Sequence, residues 1–398
     1  MGNISLLLGA GFSANAGYPV GNGINNKLVA LKETDFGIHS SGYVHFLRPG
    51  AADELTNGLE DLMVKKFLVA FIEFYASNYG PFNYEHYFDY FWGLESGKIT
   101  DQKFDTFIEN FRKTHGTIIA NNQFFLKHRY AFNQIVALYI VDGNGQQWYK
   151  PAHSSKPSYP GYTGFLYCME AWGKDGIVHT HSLNHDLFTE TLGHSDWLSG
   201  GFSDGFVELG SPYYGKFTDP DGFEYTVRLP YYTGRYTGNF RLYKLHGGLD
   251  QYPFNTTDNK IIDYIKLKKG VPRWEHHKEV IGDDGEMKYI TDWINYHSDF
   301  LSGTTSKILR YREPIYYDKV FRSFESNLEA SDKLILIGYG CLDEEVNNLI
   351  AMHFGTGTKR PIYMVNPYPN EITDRFCENF NVKLIKKSPQ EIEIGDFE

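Results

Sequence analysis

Five short stretches of this chain carry residue types whose spacing could support chemistry. The first is Gly9-Ala10-Gly11-Phe12-Ser13, followed by Gly17 and Pro19. Glycines just after a strand let backbone N–H groups approach a pyrophosphate, and a following helix N-terminus adds positive potential. Ala14 stands where the dinucleotide fingerprint wants its third glycine, a tolerated change. No acidic residue ends a second strand about 20 residues on, which argues against a standard dehydrogenase. The second stretch is Ser182-Leu183-Asn184-His185-Asp186, and the third is Lys244-Leu245-His246-Gly247-Gly248. The fourth is Gly338-Tyr339-Gly340-Cys341-Leu342-Asp343, and the fifth is Val365-Asn366-Pro367. Each has a bland reading: a tight turn for Gly-x-Gly, a helix cap for Asn-x-Asp, a turn residue for His before Gly. Together they gain weight, because each follows a run expected to be a strand.

Those strands are short and apolar. Ile4–Leu8, Lys333–Ile337 and Ile362–Val365 read as buried parallel strands. Residues 176–181, 241–245 and 382–385 join them with a weaker pattern. Strands followed by helices (317–329, 343–353) predict a Rossmann-like, doubly wound parallel α/β sheet. In such a sheet the carboxyl ends of the strands converge on one crevice, where Asn184, Asp186 and His246 could face one ligand. Between 40 and 172 the pattern changes. Leu59, Leu62, Met63, Phe67, Ala70, Phe71 and Phe74 keep helical spacing, and 84–94, 101–113, 131–141 and 164–172 also read as helices. The expected organisation is therefore a discontinuous nucleotide-binding domain, residues 1–39 and 173–398, interrupted by a large helical insertion at 40–172. A Pro/Ser/Gly loop is expected at 153–162. Residues 193–240 read as loops and hairpins, and 251–312 as polar and irregular.

The chain has 398 residues with 38 basic and 49 acidic side chains, a net charge of -11. An acidic surface repels phosphate backbones, so direct nucleic-acid binding is not expected. The densest basic run, Lys266-Leu267-Lys268-Lys269, is short. Three scattered cysteines, Cys168, Cys341 and Cys377, form neither a zinc knuckle nor a disulfide framework and fit a reducing compartment. There is no run of 18 apolar residues and no basic region before the first strand, so neither a membrane span nor a secretory signal is expected. The expectation is a cytoplasmic protein. An aromatic share of 17% allows a homo-oligomer with aromatic interfaces, and equally an aromatic core. His179, His181 and His185 invite a metal reading, but no carboxylate or Cys stands at ligand spacing, and no metal is expected.

The ordered set of motifs resembles the sirtuin superfamily. The resemblance is closest to bacterial sirtuin-like NAD hydrolases of antiviral defence. It implies NAD as substrate, with Gly9, Ala10, Gly11, Phe12, Ser13 and Pro19 on the phosphate side and Asp186 near the nicotinamide. By the same resemblance His246 is catalytic, Asn184 acts beside it, and Gly338, Tyr339 and Asn366 meet the adenosine side. Deacetylating sirtuins hold a zinc with four cysteines and carry an Arg within a Phe-Arg pair soon after their Gly-x-Pro. Here three cysteines are scattered and Val20-Gly21-Asn22-Gly23 follows Pro19, which weakens deacetylation and leaves NAD cleavage open. The family context implies NAD depletion during phage infection, controlled by oligomerisation or by a partner such as a HerA-type ATPase. A non-catalytic NAD or ADP-ribose sensor that scaffolds a defence complex is the competing reading. Deacylation or ADP-ribosyl transfer is a third.

Overall fold

The structure is a computed structural model. It describes residues 2–39, 43–116, 122–141, 161–219, 221–255, 260–268, 271, 276–290, 298–300, 302–303, 307, 310–355, 357 and 359–398. The chain divides into two compact units: Met1–Tyr18, Asn144–Phe300 and Arg310–Glu398 form the first, and Pro19–Gly143 with Leu301–Leu309 form the second.

The first unit is built on a parallel sheet. Among the described residues its strands are β1 (Ile4–Leu8), β2 (Val178–Ser182), β3 (Phe240–Lys244), β4 (Lys333–Ile337), β5 (Ile362–Val365) and β6 (Lys383–Ile385). Their order across the sheet is β6-β5-β4-β1-β2-β3, every pair parallel. This is the doubly wound order, and it reverses direction between β1 and β4. Helices cover both faces. Helix Thr163–Asp175 places Phe165, Leu166, Met169 and Trp172 in one cluster with Leu6, Leu8, Val178, Ile335 and Val365. On the opposite face helix Tyr317–Ala330 sets Phe324 against His181, ring centres 4.6 Å apart. Strands covered on both sides must be apolar throughout, which is why β1 and β4 read as unbroken Ile/Leu runs.

Two boundaries differ from expectation. Helix Thr163–Asp175, assigned in sequence mostly to the insertion, belongs to the sheet unit because its apolar face is the cover of that sheet. At the other end the division falls after Tyr18 rather than residue 39, since helix Gly21–Val29 and the pair Phe36–Ile38/Val44–Phe46 fold with the second unit. The expected loop at 153–162 lies outside the described residues up to 160.

The stretch read as loops and hairpins (193–240) and the one read as irregular chain (251–312) together contain two antiparallel sheets, and Tyr213–Thr218 with Glu224–Arg228 is such a hairpin. One pairs Gln251–Asn255, Ile261–Lys266, Tyr231–Arg235 and Gly205–Val207 in that order. The other pairs Met287–Ile290, His276–Ile281, Tyr213–Thr218 and Glu224–Arg228. Tyr213, Leu229, Tyr252, Phe254, Ile265 and Leu267 form their core. Met287–Ile290 is exposed along its whole length and Glu224–Arg228 over most of its own, so these strands lack the apolar period that marks a strand in sequence.

The second unit holds helices Leu59–Asn78, Tyr84–Glu95, Gln102–His115 and Asn122–Val141. Aromatic side chains fill its centre. Phe67 and Phe71 of the first helix lie against Phe91, Phe104, Phe107, Phe111 and Phe124. Two of these helices begin on side-chain caps: the Asn83 carboxamide accepts from the amides of Glu85 and His86, and Asp101 accepts from that of Lys103. Fully buried among the rings is His128, whose Nε2 lies 3.1 Å from the Tyr87 hydroxyl. No described helix is long and apolar enough to cross a membrane.

Candidate functional site

The site is assembled by the carboxyl ends of four neighbouring strands, β4, β1, β2 and β3. At the reversal point the loop after β1 crosses the loop after β4 at backbone contact. The Gly9 amide donates to the Ile337 carbonyl at 3.0 Å, and the Gly11 amide to that of Gly338 at 3.1 Å. A Cβ on Gly9 would stand 2.5 Å from the Gly338 oxygen, and one on Gly338 2.2 Å from the Phe12 nitrogen, at φ +61°. Glycine is thus demanded by the crossing of two loops. That is a different reason from the approach of a pyrophosphate. Beside the crossing, Ala10, Gly11 and Gly340 are exposed and Gly338 is partly so.

The loop after β2 docks on the glycine loop. The Asn184 Nδ2 donates to the Gly9 carbonyl and to Ser13 Oγ, both at 3.0 Å. Asp186 is buried, and its Oδ1 accepts from the Phe188 amide at 3.0 Å. Burial pushes its carboxyl above the usual carboxylate range, against the pull of the Lys244 ammonium and its hydrogen bonds. Lys244, at the end of β3, donates to the Asp186 carbonyl and lies 3.4 Å from Glu190. Glu190 is itself raised by burial, opposed by Lys244 and Lys266. The loop after β3 follows β2 closely, with the Leu245 amide on the Ser182 carbonyl at 2.9 Å and that of Leu249 on the His185 carbonyl at 3.1 Å.

His246 closes the circle. Its Nε2 is 3.2 Å from Asp343 Oδ2 and 3.2 Å from the Tyr311 hydroxyl, which itself donates to Asp343 Oδ2 at 3.1 Å. Asp343 follows β4 and His246 follows β3, so this contact reaches past the ends of β1 and β2 between them. Contacts therefore run from the β1 loop to β2, to β3, to β4 and back to β1.

The residues singled out in sequence fare differently. Gly9, Ala10, Gly11, Ser13, Asn184, Asp186, His246 and Gly338 all lie on this ring or beside it. The Phe12 side chain does not face the crevice; it is a core residue packed on Tyr162, Phe165 and Phe188. Phe12 lies in the short helix Ala10–Ala14 just past the two glycines, where its ring finds apolar surface among these rings. The Tyr339 ring is also buried, its hydroxyl donating to Asn347 Oδ1 at 2.8 Å. Asn366 is half-buried, with Oδ1 accepting from the Tyr368 amide at 3.0 Å as the turn residue of Asn-Pro. Pro19 belongs to the second unit. Of the three histidines, His179 and His181 are buried on the face under Phe324, where burial lowers His179 to about 4 and holds His181 well below the usual imidazole range. His185 packs on Phe300. Among the described residues no group of three or more His, Cys, Asp or Glu side chains could hold a metal.

Sequence reading missed the roles of Asp343 and Tyr311. Asp343 carried one signal, an acidic residue opening a helix after a strand-end glycine pair. Its Oδ1 caps that helix by accepting from the Val346 amide at 3.2 Å. Nothing local marked Tyr311, 65 residues from His246.

No model of a protein family matches the chain, and no curated protein matches it. Solved structures do. A structure from work on the mechanism and regulation of Sir2 enzymes is similar over 98% of this chain and 88% of its own, at 10% identity and a TM-score of 0.37. A mutant Sir2 homologue with ADP-ribose covers the same shares at 11% identity and 0.35, and a Sir2 homologue–NAD complex covers 98% and 85% at 10% and 0.34. Such values do not assign a family. What the chain's own coordinates define is a doubly wound parallel α/β protein with a ring of polar side chains at the point where its strand order reverses.

Proposed function

We propose that the chain is an NAD+ glycohydrolase that cleaves the nicotinamide–ribose bond to give nicotinamide and ADP-ribose. The observation that carries this reading is the ring of contacts at the strand-order reversal, where an open α/β sheet binds its ligand. There an amide (Asn184) and an imidazole (His246) stand on adjacent strand ends beside an exposed glycine turn.

The chemistry asks little of an acid. Nicotinamide leaves neutral from a cationic ribosyl pyridinium, taking the electron pair of the C–N bond, and the transition state resembles an oxocarbenium ion. Water supplies the oxygen that bonds to the ribose carbon, and its proton must go elsewhere. His246 takes that proton as general base, a task suited to an imidazole near neutral pH. Asn184 orients the water or the ribose hydroxyls. Asp186 fixes the loop that carries Asn184. Ala10 offers its exposed backbone to the phosphates, while the Gly11 and Gly338 amides donate to the Gly338 and Val365 carbonyls and hold the turn beside it. The cellular role we assign is depletion of NAD+ in antiphage defence, under the control of homo-oligomerisation or of a partner such as a HerA-type ATPase.

The test is release of nicotinamide from NAD+ by the purified full chain, followed over a range of protein concentrations. Asn184→Ala and His246→Ala should each lower it by about 100-fold or more. Turnover unchanged in both variants would refute the assigned roles. Binding of ADP-ribose with no turnover at any concentration, even with every partner present, would favour the sensor reading.

A further inference from the structure

Asp343 and Tyr311 do more than neighbour His246. The Asp343 carboxylate divides its two oxygens between two tasks. Oδ1 accepts from the Val346 amide and caps helix Glu344–Phe354, while Oδ2 receives the Tyr311 hydroxyl at 3.1 Å and lies 3.2 Å from His246 Nε2. All three side chains are buried, at 6% exposure or less. The Tyr311 ring is held by Phe321, ring centres 3.8 Å apart, so its hydroxyl has little freedom to leave. With that hydroxyl donating to Oδ2, an N–H on Nε2 is the polarity that suits the carboxylate 3.2 Å away.

We infer that Asp343 and Tyr311 are positioning residues that keep His246 in its Nε2–H tautomer, so that Nδ1 is the nitrogen that accepts the proton. This rests on the reading of His246 as the general base. In the step, the water O–H bond breaks as its oxygen bonds to the ribose carbon, the proton moves to Nδ1, and the C–N electron pair leaves with nicotinamide. The imidazolium that results faces the Asp343 carboxylate. The same contact spans the ends of β1 and β2, so it also sets how far the β3 and β4 loops stand apart.

Asp343→Asn separates charge from capping. Asn caps helices as well as Asp does. The Val346 amide requires an acceptor, so the Asn oxygen must take the Oδ1 place and its NH2 the Oδ2 place. That turns a donor toward Nε2 and drives the imidazole proton to Nδ1, while Tyr311→Phe removes the hydroxyl and keeps the ring. The experiment is long-range 1H–15N correlation on the labelled full chain near pH 8, with His246 identified by the signals lost in His246→Gln. The expected result is an Nε2–H tautomer in the wild type and an Nδ1–H tautomer in Asp343→Asn, with thermal midpoints that agree. In the nicotinamide assay kcat of Asp343→Asn should fall about 10- to 100-fold with KM for NAD+ within about threefold. An Nδ1–H tautomer in the wild type, or one unaltered by Asp343→Asn, overturns the inference even if NAD+ is cleaved. The expected tautomers in a chain that never cleaves NAD+, even with every partner present, would instead leave the positioning pair standing and sink the hydrolase reading.

Discussion

The ion pair of Lys244 with Glu190 gives the sharpest test of how the site is held. The two side chains are 1% and 7% exposed and 3.4 Å apart. At an effective dielectric of about 20 such a pair attracts by roughly 5 kcal/mol, against a desolvation cost of several kcal/mol per ion. Lys244→Met keeps the length of the stem but leaves Glu190 without its nearest cation and the Asp186 carbonyl without its donor. The expected loss is ~3–5 kcal/mol, a large part of the stability of an ordinary domain. Adding Glu190→Gln removes the stranded charge and should restore more than half of that loss, so the cycle shows strong coupling. The variant carries its own pH signature. Burial already raises the Glu190 carboxyl, and losing Lys244 raises it further. A group raised on folding contributes stability below its unfolded value and loses it as pH rises. The deficit of Lys244→Met should therefore narrow toward pH 5 and widen toward pH 8. Urea unfolding of wild type, both single variants and the double variant at these two pH values measures it. A single-variant loss under about 1 kcal/mol, or additive losses, would refute the reasoning.

Other consequences are open to measurement. Gly338→Ala should cost more than about 4 kcal/mol, since a Cβ there strains a left-handed backbone and meets the Phe12 nitrogen at 2.2 Å. Gly340→Ala, where a Cβ meets nothing within 4 Å, should leave the thermal midpoint alone. In the second unit, burial pushes His128 down to about 3. Its neutral form is the folded one, so stability present above about pH 6.5 is lost as pH falls toward 3, at about 1.4 kcal/mol per unit. His128→Phe should flatten the fall in urea midpoint between pH 6.5 and 4.5; an unchanged slope would remove His128 as a cause of acid lability. Asn370→Ala breaks the capping box that Asn370 forms with Thr373 and should cost ~1 kcal/mol by thermal unfolding.

How much of this was legible beforehand depends on where each free energy resides. β1, β4 and β5 were readable to the residue, because a strand covered on both faces is selected for apolar character at every position. The helices around Phe67 and Phe71 were readable because one apolar face recurs with the helical period. Of the antiparallel strands, the hairpin character of those before residue 240 was legible, but the strands between Gln251 and Ile290 were not, since half-exposed Tyr, Lys and His there find partners such as residues 213–215 only across the chain. The site divides in the same way. Gly9, Asn184 and His246 could be picked out because each ends a strand in a residue with chemistry to offer. That Phe12 points into the core was settled by the rings of Tyr162, Phe165 and Phe188 packed on it, and that Asp343 meets His246 across two intervening strands was settled by strand order. Order in a sheet is fixed by how distant strands bury one another, and no local run of residues encodes it.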